Sequence, residues 1–157
     1  ISVSAFFNFR YGNKVINQMR MSLENMSSYN NQSKAVLRRW RHPYEDEATA
    51  PTDLLPRAVY GSKNAYNYLG SDRFVEDGSF LRFKSLTVKY TFDKKRLQKT
   101  FLKTCQLWMT MSNLYVWTKY SGMDPEIALT GAPFNIGYDR SRVPRTLTTT
   151  LGMSVTF

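Results

Sequence analysis

Apolar and polar residues alternate with a period of two in four separate stretches of the chain. That spacing predicts strands whose two faces meet different surroundings. In "ISVSAFFNFRY", Ile1, Val3, Ala5, Phe7, Phe9 and Tyr11 oppose Ser2, Ser4, Phe6, Asn8 and Arg10. In "LTVKYTF", Leu86, Val88, Tyr90 and Phe92 oppose Thr87, Lys89 and Thr91. In "CQLWMTM", Cys105, Leu107, Met109 and Met111 oppose Gln106, Trp108 and Thr110. In "RTLTTTLGMSVTF", Leu147, Leu151, Met153, Val155 and Phe157 oppose Thr146, Thr148, Thr150, Gly152, Ser154 and Thr156. The strands expected are therefore about 1–11, 80–92, 104–117 and 145–157. The stretch "FLRFKS" runs in the opposite phase to "LTVKYTF". Either a bulge near Lys84 or Ser85, or a strand leaving its apolar surroundings there, accounts for the change.

The connections alternate long, short, long: about 12–79, then "DKKRLQKTFLKT", then about 118–144. Within the first, Val15, Met19, Leu23 and Met26 stand near helical spacing, and Ser33 is a candidate N-cap for a short helix in "SKAVLRRW". The stretches around Pro43, Pro51 and Pro56 and "YGSKNAYNYLG" read as turn-rich chain.

Charge narrows the picture less than its size suggests. The net charge of +10 points to an anionic partner, yet Gly12–Ser79 carries 9 basic and 8 acidic residues, whereas Arg82–Lys103 carries 8 basic residues against Asp93 alone. The single cysteine, Cys105, and single histidine, His42, exclude an internal disulfide, a cysteine-based zinc cluster and a multi-histidine metal site. With no glycine-rich phosphate loop and no nucleophile elbow, nothing calls for catalysis, a metal or a cofactor. "TCQLWMTMSNLYVWT" is too short and too polar for a spanning helix, which needs about 20 mostly apolar residues.

Period-two alternation fits a soluble antiparallel sheet with one face on a core. It also fits a transmembrane barrel, whose tilted strands need about 9–11 residues each and whose loops are long outside and short on the periplasmic side. The aromatic residues distinguish the two. If the first strand runs outward, Phe7, Phe9, Tyr11, Tyr115 and Trp117 form one band, and Tyr90, Phe92, Phe101 and Phe157 form another. Two such girdles mark the interfaces of a bilayer. Four strands cannot close a barrel, and Ile1 and "ISVSAFFNF" read as the interior of a longer polypeptide rather than a start.

"DRFVEDGSFLRFKSLTVKYTF", "SNLYVWTKYSGMDPEI" and "VPRTLTTTLGMSVTF", with "YGNKVIN" and "NQSKAVLRRW…DLLPRA" ahead of them, resemble the C-terminal segment of SusC/RagA-like TonB-dependent transporters. The resemblance runs along essentially the whole chain, in order. "KKRLQK" departs from the often shorter turn of that family. The resemblance implies an all-β fold in which the chain supplies the last four antiparallel strands of a barrel of about 22 strands, with short helices in its long extracellular loops. It implies a plug domain and TonB-contacting region outside this chain, a SusD-like surface lipoprotein as partner, and a bulky cargo, oligosaccharide or peptide. It also implies residence in the outer membrane with a periplasmic C-terminus, and Phe157 as an outer-membrane assembly signal.

Import is then the leading function, with no enzymatic step. Rings stack on sugar faces and carboxylates accept hydroxyl hydrogen bonds, so Trp40, Tyr60, Tyr66, Tyr120, Asp124 and Glu126 are the candidate ligand contacts, with loop packing or lipoprotein contact as the other role for each. The alternative is a soluble basic β-sheet module for nucleic acid or another anion, built on Arg82, Lys84 and Lys89. The phase change within "FLRFKSLTVK" separates these cations onto different faces unless a bulge intervenes, and the barrel reading accordingly expects no nucleic-acid partner.

Overall fold

The computed structural model describes residues 1–27, 29–41, 54–60, 69–98, 101–126 and 135–157. Among these, the elements in chain order are β1 (Ser2–Arg10), β2 (Lys14–Asn17), α1 (Gln18–Leu23), β3 (Val75–Asp77), β4 (Phe80–Thr91), α2 (Lys94–Leu97), β5 (Thr104–Thr118), β6 (Tyr138–Asp139) and β7 (Thr148–Thr156). Short 3-10 helices occupy Lys34–Arg38 and Asp72–Phe74. The chain divides into two units. One comprises Ile1–Asn13, Gly78–Tyr120 and Val143–Phe157; the other comprises Lys14–Asp77 and Ser121–Arg142.

The first unit is a four-stranded antiparallel sheet in the order β1-β4-β5-β7. Directly opposed residues share a face, so the register builds rows across all four strands. Val3, Val88, Met109 and Leu151 form an apolar row, and Ser4, Thr87, Thr110 and Thr150 form a hydroxyl row on the other side. The phase change in β4 is a bulge. Phe6 pairs with Ser85 and Phe7 with Phe83, so Lys84 is skipped, while Asn113 and Leu114 of β5 stand opposite it. Leu81 and Phe83 thereby rejoin Phe9 and Phe7 on the face that carries Leu86 and Val88. Asn113 takes φ +56° at this irregularity, a left-handed conformation that asparagine tolerates better than most residues. Its Nδ2 donates to the Thr146 carbonyl at 3.2 Å.

The second unit contains a small sheet in the order β3-β2-β6, antiparallel between β2 and β3 and parallel between β2 and β6. A helix was expected around Val15 to Met26, but Lys14–Asn17 is extended and the helix covers only Gln18–Leu23. The adjacent β-branched pair Val15–Ile16 suits a strand, and Ile16 N–H donates to the Gly137 carbonyl at 2.7 Å. Gly137 sits at φ +90°, where a side chain would be strained. Asn17 ends the strand and caps the helix, its Oδ1 accepting from Arg20 N–H at 2.9 Å. Ser33 caps as expected, accepting from Ala35 N–H at 3.2 Å, although the helix it opens is 3-10. Val15, Val36, Leu55, Phe74 and Pro125 are the buried apolar side chains of this unit among the described residues.

Candidate functional site

The apolar face of the four-stranded sheet is bare. Leu151 is 76% exposed, Met153 66% and Val3 64%, which is the reverse of a soluble sheet packed on a core. Aromatic rings gather at its two ends. Phe7 stacks on Phe83 at 4.6 Å, and Tyr115 meets Trp117 at 4.9 Å. At the other end Tyr90 meets Phe92 at 4.8 Å, and Phe101 stacks on Phe157 at 5.7 Å. From the Tyr90–Leu107 pair to the Leu81–Trp117 pair the sheet advances ten residues of β5. This is about 33 Å along the strand at about 3.3 Å per residue, or about 25 Å along the normal at a tilt of about 40°. That matches the height of the apolar band of an outer-membrane barrel, about 25 Å.

The opposite face is polar and tight. Thr87 Oγ1 and Thr110 Oγ1 lie 3.0 Å apart. Trp108 lies across Gly152, its register partner on β7, so closely that a Cβ on that glycine would stand 2.0 Å from the indole Cζ2. Arg82 and Phe80, toward one end of this face, are buried. The outer edges of β1 and β7 have no strand partner among the described residues.

The second unit holds a charged cluster drawn from three distant stretches of chain. Glu76 on β3 accepts from Ser121 N–H at 2.9 Å and Ser121 Oγ at 2.8 Å, and from Arg20 at 3.1 Å and Asn17 Nδ2 at 3.3 Å. Arg20 also donates to Glu24 at 2.7 Å, and Glu24 pairs with Arg73 at 3.3 Å. Both guanidinium groups lie over the buried Phe74 ring, Arg73 at 4.4 Å and Arg20 at 5.8 Å from its centroid. Burial works against the Glu76 carboxylate, but its hydrogen bonds to Ser121, Arg20 and Asn17 outweigh burial and hold its carboxyl below the usual glutamate range. Burial also opposes the charge on Arg20, yet Glu24 and Glu76 raise its pKa; for Arg73 burial prevails over the pull of Glu24, Arg20 adds repulsion, and the pKa falls. The cluster ties Ser121 to the small sheet, a positioning role. Among the described residues no group of His, Cys, Asp and Glu is arranged to hold a metal ion.

The candidate contacts are spread unevenly. Asp124 and Glu126 are buried in one turn around Pro125, with Asp124 Oδ1 accepting from Glu126 N–H at 3.0 Å. Tyr120 is buried, its N–H donating to Thr118 Oγ1 at 3.1 Å. Trp40 is half-buried and donates through its backbone to Leu55 at 2.9 Å. Tyr60 is 77% exposed, with its ring 5.5 Å from that of the still more exposed Tyr29. Tyr66 lies outside the described residues. Phe157 is exposed beside Phe101. Sequence reasoning passed over Tyr29 and the Glu76 cluster. Only the Arg20–Glu24 pair, four apart on a helix, leaves a local signal.

No protein-family model matches the chain. TonB-dependent receptor P3 of Formosa agariphila is 28% identical over 160 residues, covering 99% of this chain and 15% of that protein. TonB-dependent receptor SusC of Bacteroides thetaiotaomicron is 32% identical over 88 residues, 55% of this chain and 8% of that protein. The RagAB peptide importer in its open-open state superposes with a TM-score of 0.75 at 23% identity, over 99% of this chain and 15% of its counterpart. The chain thus spans about 15% of the length of the relatives that match it throughout. These relatives are receptors and importers; over nearly all its residues this chain is similar to TonB-dependent receptors of the SusC/RagA kind, and its fold is that of a segment of such a barrel wall.

Proposed function

We propose that this chain forms the closing wall and two extracellular loops of an outer-membrane importer energised through TonB, taking up a bulky nutrient, oligosaccharide or peptide. The observation that carries the reading is the bare apolar face between two aromatic bands: in water such a surface drives aggregation, whereas against lipid it is solvated. In this reading the open edges of β1 and β7 pair with further strands of the same barrel, because an unpaired edge in hydrocarbon leaves backbone groups without partners. The short β4–β5 turn and Phe157 face the periplasm, the loops about 12–79 and 118–144 face outward toward a SusD-like lipoprotein, and the plug and TonB-contacting region lie elsewhere in the polypeptide. Exposed Tyr60 is the best-placed candidate for stacking on cargo, with Tyr29 beside it. The test is fractionation and uptake with the full-length protein. It should remain with the outer membrane until detergent is added, and a strain lacking it, or lacking TonB, should lose uptake of its labelled cargo. Recovery in a soluble fraction without detergent would refute the reading.

A further inference from the structure

The charge of the protein is divided with complete asymmetry between its units. The sheet unit carries eleven basic residues and a single acid, Asp93, which accounts for the whole net charge of +10, while the other unit is balanced. Four of those cations, Lys94, Lys95, Arg96 and Lys103, fall in the described part of the connection between β4 and β5. The turn is anchored at both ends, with Phe92 N–H donating to the Cys105 carbonyl at 3.0 Å and Lys103 N–H to the Thr156 carbonyl at 2.8 Å. Lys94, Lys95 and Lys103 are exposed, and none of them enters an ion pair among the described residues. The same rim of the sheet carries Phe92 and the stacked, exposed Phe101 and Phe157.

We infer that this turn is a docking surface for anionic phospholipid headgroups of the adjoining leaflet. The inference rests on the membrane reading above. Rings at a bilayer interface set the depth of the rim, and cations just beyond them stand at phosphate level. A soluble anion would be met equally well by cations anywhere on the molecule. Here Lys94, Lys95 and Lys103 lie close together in sequence just where the apolar face ends, and lysine, a compact and flexible point charge, suits phosphates whose positions vary.

The test uses the full-length protein in detergent, titrated with short-chain phosphatidylglycerol and, separately, with phosphatidylcholine, binding being read by native mass spectrometry. Phosphatidylglycerol should bind preferentially, and the triple variant Lys94→Gln, Lys95→Gln, Lys103→Gln should weaken it about 100-fold, at about 1 kcal/mol for each lysine. Lys119→Gln, an exposed cation beyond the far end of β5, should leave the affinity unchanged. Equal binding of both lipids would overturn the inference, as would competition by inorganic phosphate or by an acidic peptide at the same concentration as the lipid. Failure of the membrane reading is separately visible, since the protein would then fractionate without detergent. A protein that inserts but does not discriminate between the lipids removes this inference alone.

Discussion

Gly152 shows how a single position constrains its neighbours. Its own backbone does not require glycine; the indole of Trp108 does, by occupying the space of a Cβ. Gly152→Ala in the full-length protein should therefore cost about 1–3 kcal/mol, read as a lowered urea midpoint. Trp108→Ala in the same background should recover most of that loss, because removing the ring removes the clash, and the double-mutant cycle measures the coupling. Glu76 makes a prediction in pH. Its folded pKa is depressed below the ordinary 4.5, so the stability it confers is complete above about 4.5 and disappears as pH falls through the folded value. Hydrogen exchange at the Ser121 amide should accelerate in acid beyond its intrinsic rate, and Glu76→Gln should abolish that step. An unchanged acid profile in the variant would mean that the carboxylate does not hold the loop.

The sheet itself is tested by comparing neighbouring positions on opposite faces of one strand. Met109 and Thr110 are adjacent on β5, one in the apolar row and one in the hydroxyl row. A lysine on a lipid-facing midplane position costs about 2–4 kcal/mol, and a lumen-facing one much less. Met109→Lys should thus lower the folding free energy of the full-length protein in vesicles by about that amount, whereas Thr110→Lys should leave it nearly unchanged. Equal effects would mean that the two faces meet the same medium. The bulge is what makes this contrast uniform along the sheet. By skipping Lys84 it turns Leu81 and Phe83 onto the face of Leu86 and Val88, and the phase break in "FLRFKSLTV" was its only trace in the sequence.

Across the whole molecule, the division of charge and surface follows function as proposed: a bare apolar belt for lipid, a basic rim at one end of it, and a charge-balanced loop unit. If the exposed Tyr29–Tyr60 pair stacks on cargo, Tyr29→Ala with Tyr60→Ala should raise the half-saturating cargo concentration about 30-fold, aromatic stacking being worth about 1 kcal/mol per ring. Expression and outer-membrane yield should stay unchanged, since neither ring is buried. Uptake that saturates as in the wild type would move the cargo contacts elsewhere.

Much of this was legible in the chain alone. Alternation marks each of the four strands of the long sheet, the apolar phase admits no charge, the phase break announces the bulge, and the skew of lysines and arginines toward "KKRLQK" is plain. These are local properties, set by a repeat of two residues, and need no knowledge of distant partners. The rest depended on pairings across long gaps. Val15 and Ile16 read as helical until β3 and β6, far along the chain, supplied their strand partners. Glu76 carried no local signal of the bonds from Ser121 and Arg20 that the fold brings to its carboxylate. Asp124 and Glu126 stood out as candidate ligand contacts, and their burial together in one turn is a property of the fold. Trp108 and Gly152 became a pair only once β5 and β7 had taken their register. Which residues meet across such gaps is decided by register and loop closure, to which a local pattern of side chains is blind.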